Sequence, residues 1–230
     1  MGLKLEVKST YGIGHSNSAE LFAFTGPVGA YFTGGWKPVS LLANPKLVRA
    51  WRGGSGDAKL GCNYAPTILI GKQAQELGCS QVLWLFEDDE KLTEVGTMNI
   101  FVFWINEAGE KELVTPPLGD GIILPGVTRQ SLLDLAREWD EFKVVERYPT
   151  MKCLREAIKE KRLLEVFGSG TACIVCPVNH IMYRNGDTVE DLYIPTMEQE
   201  PCLMQRLFDT ITDIQYGRIA KPEWTRTVLE

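Results

Sequence analysis

The sequence predicts a mixed α/β domain on three observations. Between residues 82 and 124, short runs rich in β-branched and aromatic residues are separated by acidic or glycine-containing turns, the pattern of an antiparallel meander. From residue 128 onward, stretches with apolar residues at helical spacing alternate with short strand-like runs. The chain has 230 residues, 44% hydrophobic and 23% charged, which is the composition of an ordinary globular chain long enough for one large domain or two small ones.

Residues 1–20 mix charge, Gly and Ser without a clean period and read as an unspecified lead-in. An apolar run over 21–28 closes at Gly26-Pro27 and Gly29, and Tyr31, Phe32 and Gly34-Gly35 follow. This reads as a strand leaving into a linker, with a boundary near residue 38. The expected division is 1–30, a linker over 31–38, and a main domain over 39–230. Residues 41–51 carry apolar side chains at helical spacing and predict a helix, which Gly53, Gly54 and Gly56 break into a loop ending at Lys59. Residues 65–78 predict a second helix, with Pro66 at the first helical position, where a missing N–H costs nothing, and Gly78 as the stop. Strands are expected over 82–86, 92–95, 100–105, 112–115 and 121–124, with a turn at Asn106-Glu-Ala-Gly109. Helices over 128–138, 150–159 and 202–213 alternate with strands over 143–146, 173–178 and 192–194.

Charge and composition exclude several functions. Thirty acidic residues against twenty-four basic ones leave a net −6 with no basic stripe, so nucleic acid and anionic membranes are not expected partners. The longest apolar stretches fall far short of the ~20 residues of a membrane helix. The start M-G-L-K-L-E shows neither a signal core nor a myristoylation pattern, since Glu6 stands where Ser or Thr is wanted. Six cysteines are too sparse for a disulfide scaffold and fit a reducing compartment. With only His15 and His180, a histidine-based hydrolase is disfavoured.

Four features could carry chemistry. Lys59 sits in G-G-S-G-D-A-K-L-G, where flanking glycines let the backbone turn and a planar ligand approach. Taken alone, the loop is more often that of a solvated surface lysine. Glu94 is a carboxylate in an apolar, β-patterned run. It is either buried with a partner that fixes its charge or turned to the surface by strand alternation. Two small-residue turns, 124–129 and 167–172, offer backbone amides, the first running into a helix N-terminus that would seat a phosphate. Each is also an ordinary cap or turn. Cys173 and Cys176 form C-I-V-C without a second pair at ligand spacing, so no metal site is expected. They read as a redox-sensitive thiol pair or as two buried strand cysteines.

Read together, A-K-L-G-C-N-Y-A-P-T, Q-V-L-W-L-F, L-T-E-V-G-T-M-N-I-F-V-F-W, G-I-I-L-P-G-V-T-R-Q-S, V-F-G-S-G-T-A-C-I-V-C-P-V and T-D-I-Q-Y-G resemble the branched-chain amino acid aminotransferases, class IV of the pyridoxal-phosphate enzymes. The C-x-x-C pair resembles that of the animal-type members. The resemblance implies the fold type IV large domain, a D-amino acid aminotransferase-like pseudobarrel, with only a remnant of the small N-terminal domain. It implies pyridoxal 5′-phosphate as cofactor, with Lys59 as the residue that forms the Schiff base with the cofactor aldehyde and moves the proton between substrate Cα and cofactor C4′. Such a lysine is expected to be partly buried, which lowers its pKa. Glu94 would hold the pyridine nitrogen protonated, Tyr64 would bond the phenolic oxygen, and Arg49 would be a cofactor neighbour. Val127, Thr128 and Thr171 would hold the phosphate. Thr97 and Ala172 would face the substrate carboxylate, and Tyr31 would line the side-chain pocket.

The implied reaction is reversible amino transfer from leucine, isoleucine or valine to 2-oxoglutarate. Family members are homodimers in cytosol or mitochondria, and the cytoplasm is the expected location here. Two departures stand out. Cys62 replaces a family glycine, and only 28 residues precede Gly29, where the family carries a whole domain. The alternative function is therefore a catalytically impaired, shortened form acting as a cofactor-binding or interaction domain.

Overall fold

Within the lead-in, the four residues Leu3–Glu6 alternate apolar and charged side chains, a local period of two that the longer window obscures. In the computed structural model, which describes residues 2–6, 14, 18–27, 29, 36–198 and 200–226, β1 (Gly2–Glu6) pairs antiparallel with β2 (Ala19–Ala23). The expected lead-in therefore contains half of a two-stranded sheet. The chain divides into two units, Met1–Thr33 and Gly34–Glu230.

The second unit begins with β3 (Val39–Ala43), a strand where helical spacing predicted a helix. Leu41, Leu42 and Ala43 are all buried, because β3 is flanked by parallel neighbours on both edges. Strands of that kind read as continuous apolar runs whose period is ambiguous. Pro45 then disfavours helical geometry at Asn44, whose Oδ1 instead accepts from the Lys46 amide at 2.9 Å in a turn. The loop beyond it leads to a single helical turn, α1 (Gly61–Tyr64), and to α2 (Thr67–Glu76). Pro66 stands one residue outside the start of α2, a difference within the fraying of helix ends. Ala74 of α2 packs on Leu42, Cys79, Val82 and Trp84.

Next come β4 (Gln81–Phe86), β5 (Lys91–Val95), β6 (Met98–Ile105) and β7 (Lys111–Thr115), paired antiparallel in sequence as the turn spacing predicts. Residues 121–124 form no strand. Ile122 and Ile123 are buried with Ala50, and the backbone groups of Ile122 and Leu124 bond to side chains from other elements instead. After α3 (Val127–Trp139) come β8 (Lys143–Glu146) and α4 (Met151–Lys159), where Thr150 caps the helix by accepting from the Cys153 amide.

A strand that the sequence reading missed, β9 (Leu163–Gly170), occupies most of the expected 167–172 turn, which shrinks to Thr171–Cys173. The remaining strands, β10 (Ile174–Asn185) and β11 (Thr188–Tyr193), form a long hairpin, so the expected 192–194 strand starts earlier. The chain closes with α5 (Leu203–Gln215), whose first two amides donate to both oxygens of buried Glu165 on β9.

The sheet closes on itself. Its path runs β11-β10-β3-β4-β5-β6-β7-β8, and β9 pairs antiparallel with both β6 and β10. Strands β3, β4, β5, β6, β9 and β10 thereby form a ring with no free edge, which is a barrel. On one side of it, α3 and α5 bury Leu132, Leu133, Leu207 and Ile211 against Phe101, Phe103 and Phe167. Among the described residues, no helix is long and apolar enough to cross a membrane.

Candidate active site

Glu94 lies on β5 in register with Trp84 of β4 and Asn99 of β6. It is 2% exposed, which decides between the two readings of this carboxylate. Its Oε1 accepts from the Leu124 amide at 2.9 Å and from Asn99 Nδ2 at 3.4 Å, and its Oε2 lies 3.0 Å from Arg49 Nε. Arg49, in the loop after β3, is itself buried and donates to the carbonyls of Ile122 and Gly56, each at 3.2 Å. Its Nε–H is not aligned on the carboxylate and lacks a hydrogen-bond acceptor. Burial pushes the Glu94 carboxyl up to about 7. The Arg49 cation, the Leu124 amide and the Lys59 charge oppose that rise without cancelling it.

Lys59, whose charge is felt at Glu94, lies at the end of a loop held by its own hydrogen bonds. Buried Asn63 donates through Nδ2 to the carbonyls of Ser55 at 2.6 Å and Ala58 at 2.7 Å, and accepts from Ser55 Oγ at 2.8 Å. Gly56 sits so close to the 121–122 backbone that a Cβ there would meet Ile122 O at 2.4 Å, so only glycine fits. The lysine itself is exposed rather than partly buried as expected. Its loop packs on the 121–122 backbone through Gly56 and leaves the far side of the chain open. Tyr64 closes α1 and is half-buried.

The expected phosphate residues come together on a different side of the same network. Gly126 begins α3 without a side-chain cap, so the first-turn amides of Val127 and Thr128 have no intrahelical acceptor and stand at the positive end of the helix dipole. Val127, Thr128 and Thr171 line one cleft of about 620 Å³ together with Leu118, Ile214 and Trp224. Lys59, Arg49, Tyr64 and Glu94 are not among its walls. Of these, Glu94 connects towards it through the Leu124 amide, and its neighbour Asn99 through the Leu124 carbonyl and Gly126.

Thr97 and Ala172 are exposed at the β5–β6 and β9–β10 turns. The first of these turns is held by Trp84, whose indole donates to Gly96 O at 2.8 Å. Tyr31 lies outside the described residues. Cys173 and Cys176 are both buried, and burial pushes their thiols up to about 11 and about 12, so both stay protonated at neutral pH. The Cys173 Sγ lies 3.3 Å from Met98 Sδ. Among the described residues, no three His, Cys, Asp or Glu side chains are grouped as metal ligands would be.

Three residues of the site escaped the sequence reading: Trp84, Asn63 and Asn99. Of these, Asn99 had a signal. Asn99 interrupts the apolar run M-N-I-F-V-F-W, and a polar side chain buried among such residues requires partners.

A family model described as amino-transferase class IV matches residues 37–181. The chain belongs to the class IV aminotransferases. It is 57% identical over 221 residues to a branched-chain-amino-acid aminotransferase, cytosolic, of Caenorhabditis elegans, covering 95% of this chain and 53% of the relative. It is 59% identical over 214 residues to the mitochondrial protein of the same description from Bos taurus, covering 93% and 53%. The chain thus spans about half the length of the curated relatives it matches. Among solved structures, a branched-chain amino acid aminotransferase from Thermobaculum terrenum superposes with a TM-score of 0.70 at 20% identity, over 95% of this chain and 63% of that one. The Escherichia coli enzyme gives 0.64 at 23%, over 92% and 60%. At those identities the likeness establishes the fold, a fold type IV barrel.

Class IV aminotransferases depend on pyridoxal 5′-phosphate, and one Thermobaculum terrenum neighbour is described in that form. The residues here fit the group. A buried carboxyl beside a cation suits a pyridine nitrogen. The uncapped first turn of α3 suits a phosphate, and an accessible lysine suits an aldehyde.

Proposed function

We propose that the chain carries the cofactor half of a branched-chain amino acid transaminase, which moves an amino group reversibly from leucine, isoleucine or valine to 2-oxoglutarate. The observation that carries this reading is the single network joining Arg49, Glu94, Leu124 and Asn99, with the Lys59 loop on one side and the first turn of α3 on the other. The names of relatives above 50% identity support the substrate class.

Bound pyridoxal phosphate would supply an electron sink for the pair left at Cα on deprotonation. Glu94, kept at least partly ionised by Arg49, would hold a proton on the pyridine nitrogen. Lys59 would bond the cofactor aldehyde carbon and, once displaced by substrate, carry the proton between Cα and C4′. Tyr64 would donate to the phenolic oxygen, and the amides of Val127 and Thr128 with the Thr171 hydroxyl would hold the phosphate. Thr97 and Ala172 would face the substrate carboxylate, and Tyr31 the apolar side chain. One methylene is worth about 1–3 kcal/mol in such a pocket, so the three branched substrates would be distinguished only weakly.

The working molecule would be a homodimer, and the cytoplasm its location, although relatives carry both cytosolic and mitochondrial descriptions. Retention of Lys59, Tyr64, Glu94 and both amide turns favours this reading over the impaired form.

The test is the visible absorbance of the chain with pyridoxal phosphate, wild type against Lys59→Ala, followed by L-leucine. A band that needs Lys59 and is lost on adding leucine is the expected result. A band indifferent to leucine would remove the substrate reading, and no band would remove the cofactor reading as well.

A further inference from the structure

Asn99 is 4% exposed on the central strand β6, and its carboxamide is spent on a position far away in the chain. Nδ2 donates to the Leu124 carbonyl at 2.9 Å and reaches Glu94 Oε1 at 3.4 Å. The Leu124 amide in turn donates to that same Oε1 at 2.9 Å. Leu124 is therefore gripped through both its N–H and its C=O, by Glu94 and by Asn99. Two residues on, Gly126 lies against the other end of the amide, where a Cβ would meet Asn99 Oδ1 at 2.1 Å. Any larger residue there would force the Asn99 carboxamide or the 126 backbone to shift. Residues 121–126 form neither helix nor strand, so these side-chain contacts set where α3 begins.

We propose that Asn99 is a positioning residue that fixes the Glu94 carboxylate and the first turn of α3 in one register, so that the two ends of the cofactor site cannot drift apart. The inference rests on the proposed function for the identity of the cofactor, though not for the coupling itself. Three physical consequences follow from the geometry. Loss of the Nδ2 donor loosens Leu124, whose amide bond to Oε1 favours the charged form of Glu94; the carboxyl's charged neighbours are Arg49 and Lys59. Loss of the Leu124 clamp frees the 122–128 backbone. A ligand that needs both ends then binds more weakly.

The experiment uses the whole chain with Asn99→Ala. Carbon-13 NMR on carboxyl-labelled glutamate follows the Glu94 titration in cofactor-free protein, and amide hydrogen exchange follows residues 122–128. A third arm measures pyridoxal phosphate affinity. The Glu94 midpoint should rise as the Leu124 amide loosens from Oε1, a shift that destabilisation of the fold elsewhere would not produce. Exchange over 122–128 should accelerate about tenfold or more, and cofactor affinity should fall about tenfold for the lost hydrogen bonds.

An unchanged midpoint with unchanged exchange overturns the proposal, whatever the chain does with the cofactor. If both change while even the wild type takes up no pyridoxal phosphate, the cofactor reading fails and the coupling stands. Should Asn99→Ala not fold, Asn99→Ser, whose hydroxyl is too short to reach either partner, carries the same three readouts.

Discussion

Replacing Glu94 with glutamine tests the electrostatic description of the site at its centre. Two effects compete at this carboxyl. Burial disfavours its charge, and the Arg49 guanidinium 3.0 Å away favours it. Burial prevails and lifts the group from 4.5 in the open chain to about 7. The reason is that Arg49 is shared with two carbonyls and aims no N–H squarely at Oε2. The folded state thus holds a proton more tightly than the unfolded chain, and stability falls as pH rises through the interval from 4.5 to 7 before levelling above it. From those two values, Glu94 makes the wild type about 2–3 kcal/mol less stable at pH 8 than at pH 5.

Glu94→Gln removes the titration while nearly preserving size, and every other titrating group cancels in the comparison. The variant pays for an unbalanced Arg49 at both pH values, but its deficit relative to wild type should be larger at pH 5 than at pH 8 by about 2–3 kcal/mol. Urea unfolding of both proteins at the two pH values, with slopes checked for two-state behaviour, measures this directly. Parallel pH profiles would refute the buried, near-neutral carboxyl. A deficit that grows with pH would mean that the Arg49 attraction wins and Glu94 sits below its ordinary value.

Two further outcomes are expected. Asn63→Ala removes the donor to the Ser55 and Ala58 carbonyls, and should cost about 1–3 kcal/mol. It should also accelerate hydrogen exchange over 55–59, and unaltered exchange would show that the lysine loop is held by other means. A thiol reagent at pH 8 should modify exposed Cys62 well before Cys173 or Cys176, whose burial keeps them protonated, and Cys62→Ser should abolish the fast phase. Early label in a peptide spanning 173–176 would contradict that ordering.

How much of this was legible depended on where each element sits in the barrel. The β4 to β7 meander could be read because acidic and glycine turns punctuate it, and α3, α4 and α5 because each buries one face only. β3 could not, since a central strand with Leu41, Leu42 and Ala43 all buried has no polar face to reveal its period. β9 was hidden by composition. Gly168 and Gly170 look like turn residues, yet they are in the strand because Met98 lies over them, its Cε 3.1 Å from a Cβ at 168. The Lys59 loop, Glu94 and both amide turns were visible as motifs. The contacts joining them were not, because Arg49 and Leu124 are brought to the Glu94–Asn99 hairpin only when the loops fold across the barrel.

That convergence explains how a carboxyl can be buried in a barrel wall at tolerable cost. The 44–60 and 116–126 segments contain almost no regular structure, and each must satisfy its backbone groups some other way. Arg129 holds Pro116 O at 2.6 Å, Asp120 Oδ1 accepts from the Ile122 amide at 3.2 Å, Arg49 bridges Gly56 to Ile122, and Glu94 with Asn99 holds Leu124. The buried charges therefore do two things. They satisfy backbone that sheet pairing leaves unpaired, and they fix the relative position of two loops that are separated in sequence by the 55 residues 61–115. A purely apolar seam would have packed these loops with less directional constraint, because dispersion contacts tolerate sliding whereas a carboxylate clamped on one amide does not. The stability lost by raising Glu94 is thus tied to a defined geometry at the place where a planar, doubly anchored cofactor would require it.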